Sequence, residues 1–169
     1  RNDKRFIHLR EAPLQTQEQN ALNKTYLLVH LSSLLDEKIE VMKRDIASTN
    51  VSRNSDSKSS AGDKHEVGRA MIQQELDQQE ALLAKTVLLR NELDRVPLTG
   101  NFVHASFGSL VETTNATYFI CIGLGKVMFE QQSVFVISKA SPIGKLLEHK
   151  AAGATITFNG QEVNILSIH

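Results

Sequence analysis

The chain has 169 residues, with 19 Lys+Arg balanced by 19 Asp+Glu and a formal net charge of zero. That balance excludes a general electrostatic pull on nucleic acid or anionic lipid, so a partner must be recognised by shape and local contacts. Cys121 is the single cysteine, which excludes an internal disulfide framework, and the longest apolar run, Phe119 to Leu124, is too short to span a bilayer. With no basic-then-apolar leader at the start, these features predict a cytoplasmic protein without membrane contact.

Residues 1–20 are mixed and polar, with Arg1, Lys4, Arg5 and Arg10 and no sustained periodicity, and read as an N-terminal arm. From Leu22 to Ile46 the pattern changes. Leu28, Leu31, Leu35, Ile39, Met42 and Ile46 recur at steps of three and four, the stripe a helix needs to bury one face against another. The run from Ser48 to Gly62 is rich in Ser, Asn and small polar residues and predicts a loop. Helical character resumes from Asp63 to about Arg95, with Ile72, Leu76, Leu83, Val87 and Leu93 on one side. Two helices joined by one loop predict an antiparallel hairpin over residues 21–96, a coiled coil about 40 to 45 Å long with its tip near 48–62. A small packed domain has no need of such length, which suggests a probe that reaches into something, a helix pair packing on a neighbour, or a dimer.

Pro97 and Gly100 punctuate the chain, and residues 97–169 form a second, β-rich unit. Short β-branched or aromatic runs are predicted as strands at Phe107 to Val111, Tyr118 to Ile122, Lys126 to Phe129, Val134 to Ile137, Ala154 to Phe158 and Val163 to Ile168. Asn159-Gly160 between the last two is a two-residue hairpin signal. One short helix is expected, capped by Ser141, with Pro142 at its first position and Gly153 past its end. The fold class expected is α+β.

Within this unit the order of residues is informative. Phe107-Gly108-Ser109-Leu110-Val111 opens it and Tyr118-Phe119-Ile120 follows; then come Ile137-Ser138, Ser141-Pro142-Ile143-Gly144-Lys145-Leu146-Leu147, Lys150 and Gly153. In that order and spacing they resemble the C-terminal domain of the GreA/GreB family of transcript-cleavage factors, over nearly all of residues 107–168. Members of that family show FGS-x-V, then IS-x-x-SPIG-(R/K)-x-L, then K-x-x-G, behind a long helical hairpin. The resemblance implies an FKBP-like C-terminal domain that binds bacterial RNA polymerase at the rim of its secondary channel, through Ser138, Ser141, Pro142, Ile143, Gly144 and Lys145. It also implies a hairpin that enters the channel. Acidic residues at the tip would help the polymerase bind Mg²⁺ and water, so that backtracked RNA is hydrolysed by the polymerase's own active site.

The tip reads Ser60-Ala61-Gly62-Asp63-Lys64-His65-Glu66-Val67-Gly68, and Asp63 and Glu66 match the two acids of the family's GD-x-SEN-x-E-Y pattern. Carboxylates three apart at a helix start face the same way, and hard oxygen ligands suit Mg²⁺. The same pair also fits a capping box, a local device that satisfies free backbone amides. Val67, His65, Arg69 and Ala70 depart from the family tip, and residues 51–70 hold four basic and three acidic side chains. Ala140 stands where some members carry an acid.

The expected protein is therefore no enzyme by itself. It is a monomeric cofactor protein with no metal of its own, sharing Mg²⁺ with the polymerase through Asp63 and Glu66 and reading no specific DNA sequence. The alternative is a secondary-channel regulator that docks without promoting cleavage. A prolyl isomerase would need an aromatic pocket, hard to furnish from no Trp, two Tyr and seven Phe. A plain coiled-coil module would leave the ordered motifs unexplained. Gly123-Leu124-Gly125-Lys126 lacks phosphate-loop spacing, and the six histidines show no metal-ligand spacing.

Overall fold

The computed structural model describes residues 14–56, 63–98, 100 and 102–169, with helix side chains described for 24–53 and from 67 onward. Two long helices, α1 (Leu14–Asp56) and α2 (Asp63–Leu93), lead into strands β1 (Leu110–Thr113), β2 (Thr117–Cys121), β3 (Gly125–Phe129) and β4 (Gln132–Ser138). Helix α3 (Pro142–Leu147) and strands β5 (Thr155–Phe158) and β6 (Gln161–Ile168) complete the α+β fold.

The helices run antiparallel. Cross-helix contacts from Asp36 to Arg90, Met42 to Thr86 and Arg53 to Gln73 mark out the register. The inward stripe is the one the sequence shows: Leu28, Leu31, Leu35 and Ile39 on α1, and Leu76 and Leu93 on α2, are buried. Two expectations are corrected at the ends of α1. Residues 14–20, read as part of an arm, belong to the helix, while 1–13 lie outside the described residues. The polar run from Ser48, read as loop, stays helical to Asp56, and 57–62 lie outside the described residues. The reason is local: Thr49 Oγ1 donates to Asp45 O at 3.0 Å and Ser52 Oγ to Ser48 O at 3.2 Å. Hydroxyls that compete with a helix elsewhere here fold back onto its own carbonyls, beside a partner helix that offsets weak propensity.

The six strands form one sheet in the order β3-β4-β2-β1-β6-β5. Its centre is a parallel pairing of β2 with β4, and the other pairings are antiparallel. The β5–β6 hairpin turns at Asn159-Gly160, both with positive φ, as expected. The sheet separates two cores. On one face Phe119, Cys121, Val134 and Val136 meet Leu27, Leu28, Leu31, Leu35, Leu93 and Val96 from the base of the hairpin. On the other face Ile143 and Leu147 of α3 cover Val111, Ile120, Ile137, Ile156, Val163 and Ile165.

Two boundary expectations also shift. The first strand begins at Leu110, because Gly108 sits at φ +85° and forms a turn. A Cβ at Gly108 would lie 2.7 Å from Pro97 Cδ, so glycine there lets the linker after α2 lie against the sheet. The short helix ends at Leu147, and the left-handed residue that closes it is His149 at φ +63°, not the more distant Gly153.

Candidate functional site

Four places could carry function: the hairpin tip, the turn into α3, the polar groups where the hairpin base meets the sheet, and a groove beside that base.

At the tip, Asp63 is the first residue of α2 and Glu66 follows in the same first turn. That end of a helix has free backbone amides and a positive dipole, which favour ionised carboxylates. The side chains of Asp63 and Glu66 lie outside the described residues. Just beyond them, Val67 and Met71 are 60 % and 67 % exposed. Among the described residues no group of His, Cys, Asp and Glu is arranged to hold a metal ion.

The turn into α3 explains its own sequence. Ser141 Oγ donates to Ser138 O at 2.7 Å and accepts from Gly144 N at 3.1 Å, while Ser141 N also donates to Ser138 O. Gly144 has no alternative: a Cβ there would meet Ser138 O at 2.3 Å. Pro142 occupies the first turn, where its missing N–H costs nothing. Of the six residues expected to bind a partner, Ile143 and Gly144 are buried, and the Ser141 hydroxyl is committed to the turn. Pro142 and Lys145 are exposed. They stand beside Lys139, Leu146, His149 and Lys150, which are exposed too. Lys139 Nζ pairs with Glu148 Oε1 at 2.5 Å, and this hydrogen bond holds the Glu148 carboxyl below its usual range.

The third place was not legible beforehand. Lys24 on α1 is only 2 % exposed, with its ammonium 4.3 Å from the centroid of the Phe102 ring. Burial lowers its pKa to about 8, opposed in part by neighbouring Cys121. Burial likewise pushes the Cys121 thiol up to about 12, so it is an inert core residue and no nucleophile. Nearby, Ser167 Oγ donates to Glu112 Oε2 at 2.7 Å and His169 Nε2 lies 2.9 Å from Ser167 Oγ. The serine proton is committed to the carboxylate rather than to the imidazole, the wrong order for an activated serine. Burial lowers the His169 pKa. A lysine at the start of a helical stripe reads as surface; here Phe102, far off in sequence, lies against its ammonium and offsets part of the cost of burial.

The groove, of about 420 Å³, is lined by Leu28, Val29, Arg90, Leu93, Val96 and Leu98 among others. Its polar edge is occupied, since Arg90 bonds both Asp36, at 2.9 Å, and Asp94.

No helix among the described residues is long and apolar enough to cross a membrane. Neither a protein-family model nor a curated protein matches the chain.

Proposed function

We propose that this chain is a Gre-like factor that docks on bacterial RNA polymerase, inserts its hairpin into the secondary channel and stimulates cleavage of backtracked RNA. The observation that carries the reading is the shape of the hairpin. Among the described residues, those of the hairpin that share a core with the sheet lie near its base, from Leu27 to Leu35 and from Leu89 to Val96. The rest of α1, from Asp36 to Asp56, extends beyond that core by roughly 30 Å at ~1.5 Å per residue. A thin, two-helix projection on a compact base is suited to entering a narrow opening, and little else in the fold requires it.

On this reading the β-rich unit is an FKBP-like docking domain and the protein is a cytoplasmic monomer, since a probe must have its tip free. It is a cofactor protein and not an enzyme: Asp63 and Glu66 would help hold Mg²⁺ at the polymerase's own active site, where the metal activates water for phosphodiester hydrolysis. The fit of the residues is chemical, two hard oxygen donors in the first turn at a positive helix end. Against cleavage stands a mixed tip, with Arg69 and two exposed apolar side chains, Val67 and Met71, close to the acids. That observation sustains a second reading, a channel regulator that docks without promoting hydrolysis.

Backtracked elongation complexes with end-labelled RNA separate the two. Adding the full chain should shorten the transcript, and Asp63→Ala or Glu66→Ala should abolish shortening while still competing for the channel. Binding without shortening would leave the regulator; no binding would end both.

A further inference from the structure

The two edges of the sheet are finished differently. β3, at one end, carries the exposed Lys126, and a lysine on an edge strand guards it against pairing with another chain. β5, at the other end, reads Thr155-Ile156-Thr157-Phe158, with no charge, no proline and an unbroken register against β6. Among the described residues no strand pairs with its outer side.

The register decides which backbone groups that outer side presents. Ile165 N donates to Ala154 O at 2.9 Å, so residue 154 faces β6. In an antiparallel ladder successive residues face the partner strand and away from it in turn. Ile156 and Phe158 therefore face β6 as Ala154 does, and Thr155 and Thr157 present their N–H and C=O groups outward. Among the described residues these outward groups have no backbone partner. Both threonines are exposed, and the Thr155 side chain turns back toward β6, where Oγ1 donates to Asn164 Oδ1 at 2.7 Å. Ile156 and Phe158 belong instead to the core under α3.

We propose that β5 pairs antiparallel with β5 of a second copy of this chain, joining the two sheets about a two-fold axis at Ile156. The strand complements itself about that residue. Thr155 falls opposite Thr157 of the second copy, Ile156 opposite Ile156, and Ala154 opposite Phe158. Each outward N–H then meets an outward C=O, threonine stands against threonine on one face, and on the other a small side chain stands against a large one. Charge does not oppose the match. The one ionic side chain of the β5–β6 hairpin is Glu162, on β6. The two β6 strands would stand three strand spacings apart, about 14 Å at ~4.8 Å each, beyond the ~8 Å screening length. A strand from a different protein could form the same ladder, but the match of each position with its own two-fold mate favours a second copy, which also closes the edge.

Pairing at β5 leaves the hairpin clear, since the core it shares with the sheet includes no residue of β5 or β6. A seam of two four-residue strands is small beside the roughly 1,200 Å² that stable interfaces bury, so the pair forms reversibly. The single chain remains the form suited to entering a channel, and the pair is a form it takes free in solution. This pairing goes beyond the docking reading above and does not depend on it.

The test is sedimentation velocity of the full chain from about 10 μM to 1 mM. The wild type should sediment increasingly as a dimer as its concentration rises. Thr155→Lys combined with Thr157→Lys, and separately Thr155→Glu combined with Thr157→Glu, set like charges opposite each other. Each should weaken association about tenfold or more, with little change in melting temperature because both positions are exposed. Mixed in equal amounts, the two variants should associate again, a rescue that a folding defect does not produce. Met128→Lys, on the β3 edge, should leave association unchanged. Dimers that survive both charge variants, no rescue on mixing, or loss of the dimer through Met128→Lys would overturn the pairing at β5. A wild type that stays monomeric to the top of the range would overturn it too and leave this edge to a strand from another protein.

Discussion

Along α1, the inward residues Leu27, Leu28, Leu31, Leu35 and Ile39 each keep 8 % or less of their surface exposed. Farther along the same helix, Met42 and Ile46 are half-buried, and the positions that continue the stripe become Thr49, Asn50 and Arg53. Among the described residues, the distal part of α2 contributes one fully buried apolar side chain, Leu76, and one buried polar atom without a hydrogen-bond partner, Gln79 Oε1. The lower hairpin leans on the sheet as well as on itself; among the described residues the upper hairpin meets its partner helix, through contacts such as Arg53 Nη1 to Gln73 Oε1 at 2.7 Å. One pair of helices therefore contains a rigid root and a marginal, adaptable shaft. Stability that falls off toward a tip is what an element needs if it must adjust inside another molecule.

The largest effect should come from cutting the root. Leu31→Ala removes a side chain with no exposed surface from the core shared by hairpin and sheet, and should cost about 3 kcal/mol in chemical denaturation. Ile46→Ala, the matching truncation in the shaft, should cost about 1 kcal/mol, because the site is half-solvated and can relax. Equal losses from the two would mean that the hairpin is uniformly stable and that the contrast is wrong.

How much of this could be read in the sequence differs between the same regions. The apolar stripe from Leu28 to Ile46 revealed both the helix and the face it buries, since apolar residues at steps of three and four line up on one side only when the backbone is helical. At Ser48–Asp56 the composition predicts a loop and the structure is helix, because side-chain hydroxyls bond back to the helix and a partner helix overrides the loop-like composition. In the sheet, the ordered motif around Ser138, Ser141 and Gly144 was legible because its geometry tolerates little else. Contacts between residues distant in sequence left no local trace: neither Lys24 over Phe102 nor Pro97 against Gly108 follows from any window of the chain.

Lys24 sharpens the comparison from the root. Its pKa falls from 10.5 to about 8 on folding, so the unfolded chain binds more protons between those values. The wild type should accordingly gain stability as pH rises from about 8 toward 10.5, and below pH 8 it carries the full cost of a buried ammonium, relieved in part by the Phe102 ring. Lys24→Met should stabilise the protein by about 1–2 kcal/mol at pH 7 and flatten the pH dependence in that window. A variant less stable than wild type at pH 7 would show that the contact with Phe102 outweighs desolvation.

The smallest change tests the shaft. Gln79 Nε2 donates to Glu75 Oε1 at 3.1 Å, which leaves the buried Gln79 Oε1 as the unmatched group. Gln79→Leu trades that oxygen for apolar surface against α1 and should add about 1 kcal/mol to local stability. Hydrogen exchange would read it where it acts: amides of residues 69–80 should slow about fivefold, those of 86–93 near the root hardly at all. If the whole hairpin slowed together, root and shaft would open as one unit. If exchange in the shaft did not change, its weakness would lie in the polar α1 positions Thr49, Asn50 and Arg53 rather than in Gln79. On the proposed function, a hairpin stiffened at Gln79 that still docked but promoted cleavage less well would connect the marginal shaft to the role proposed for the tip.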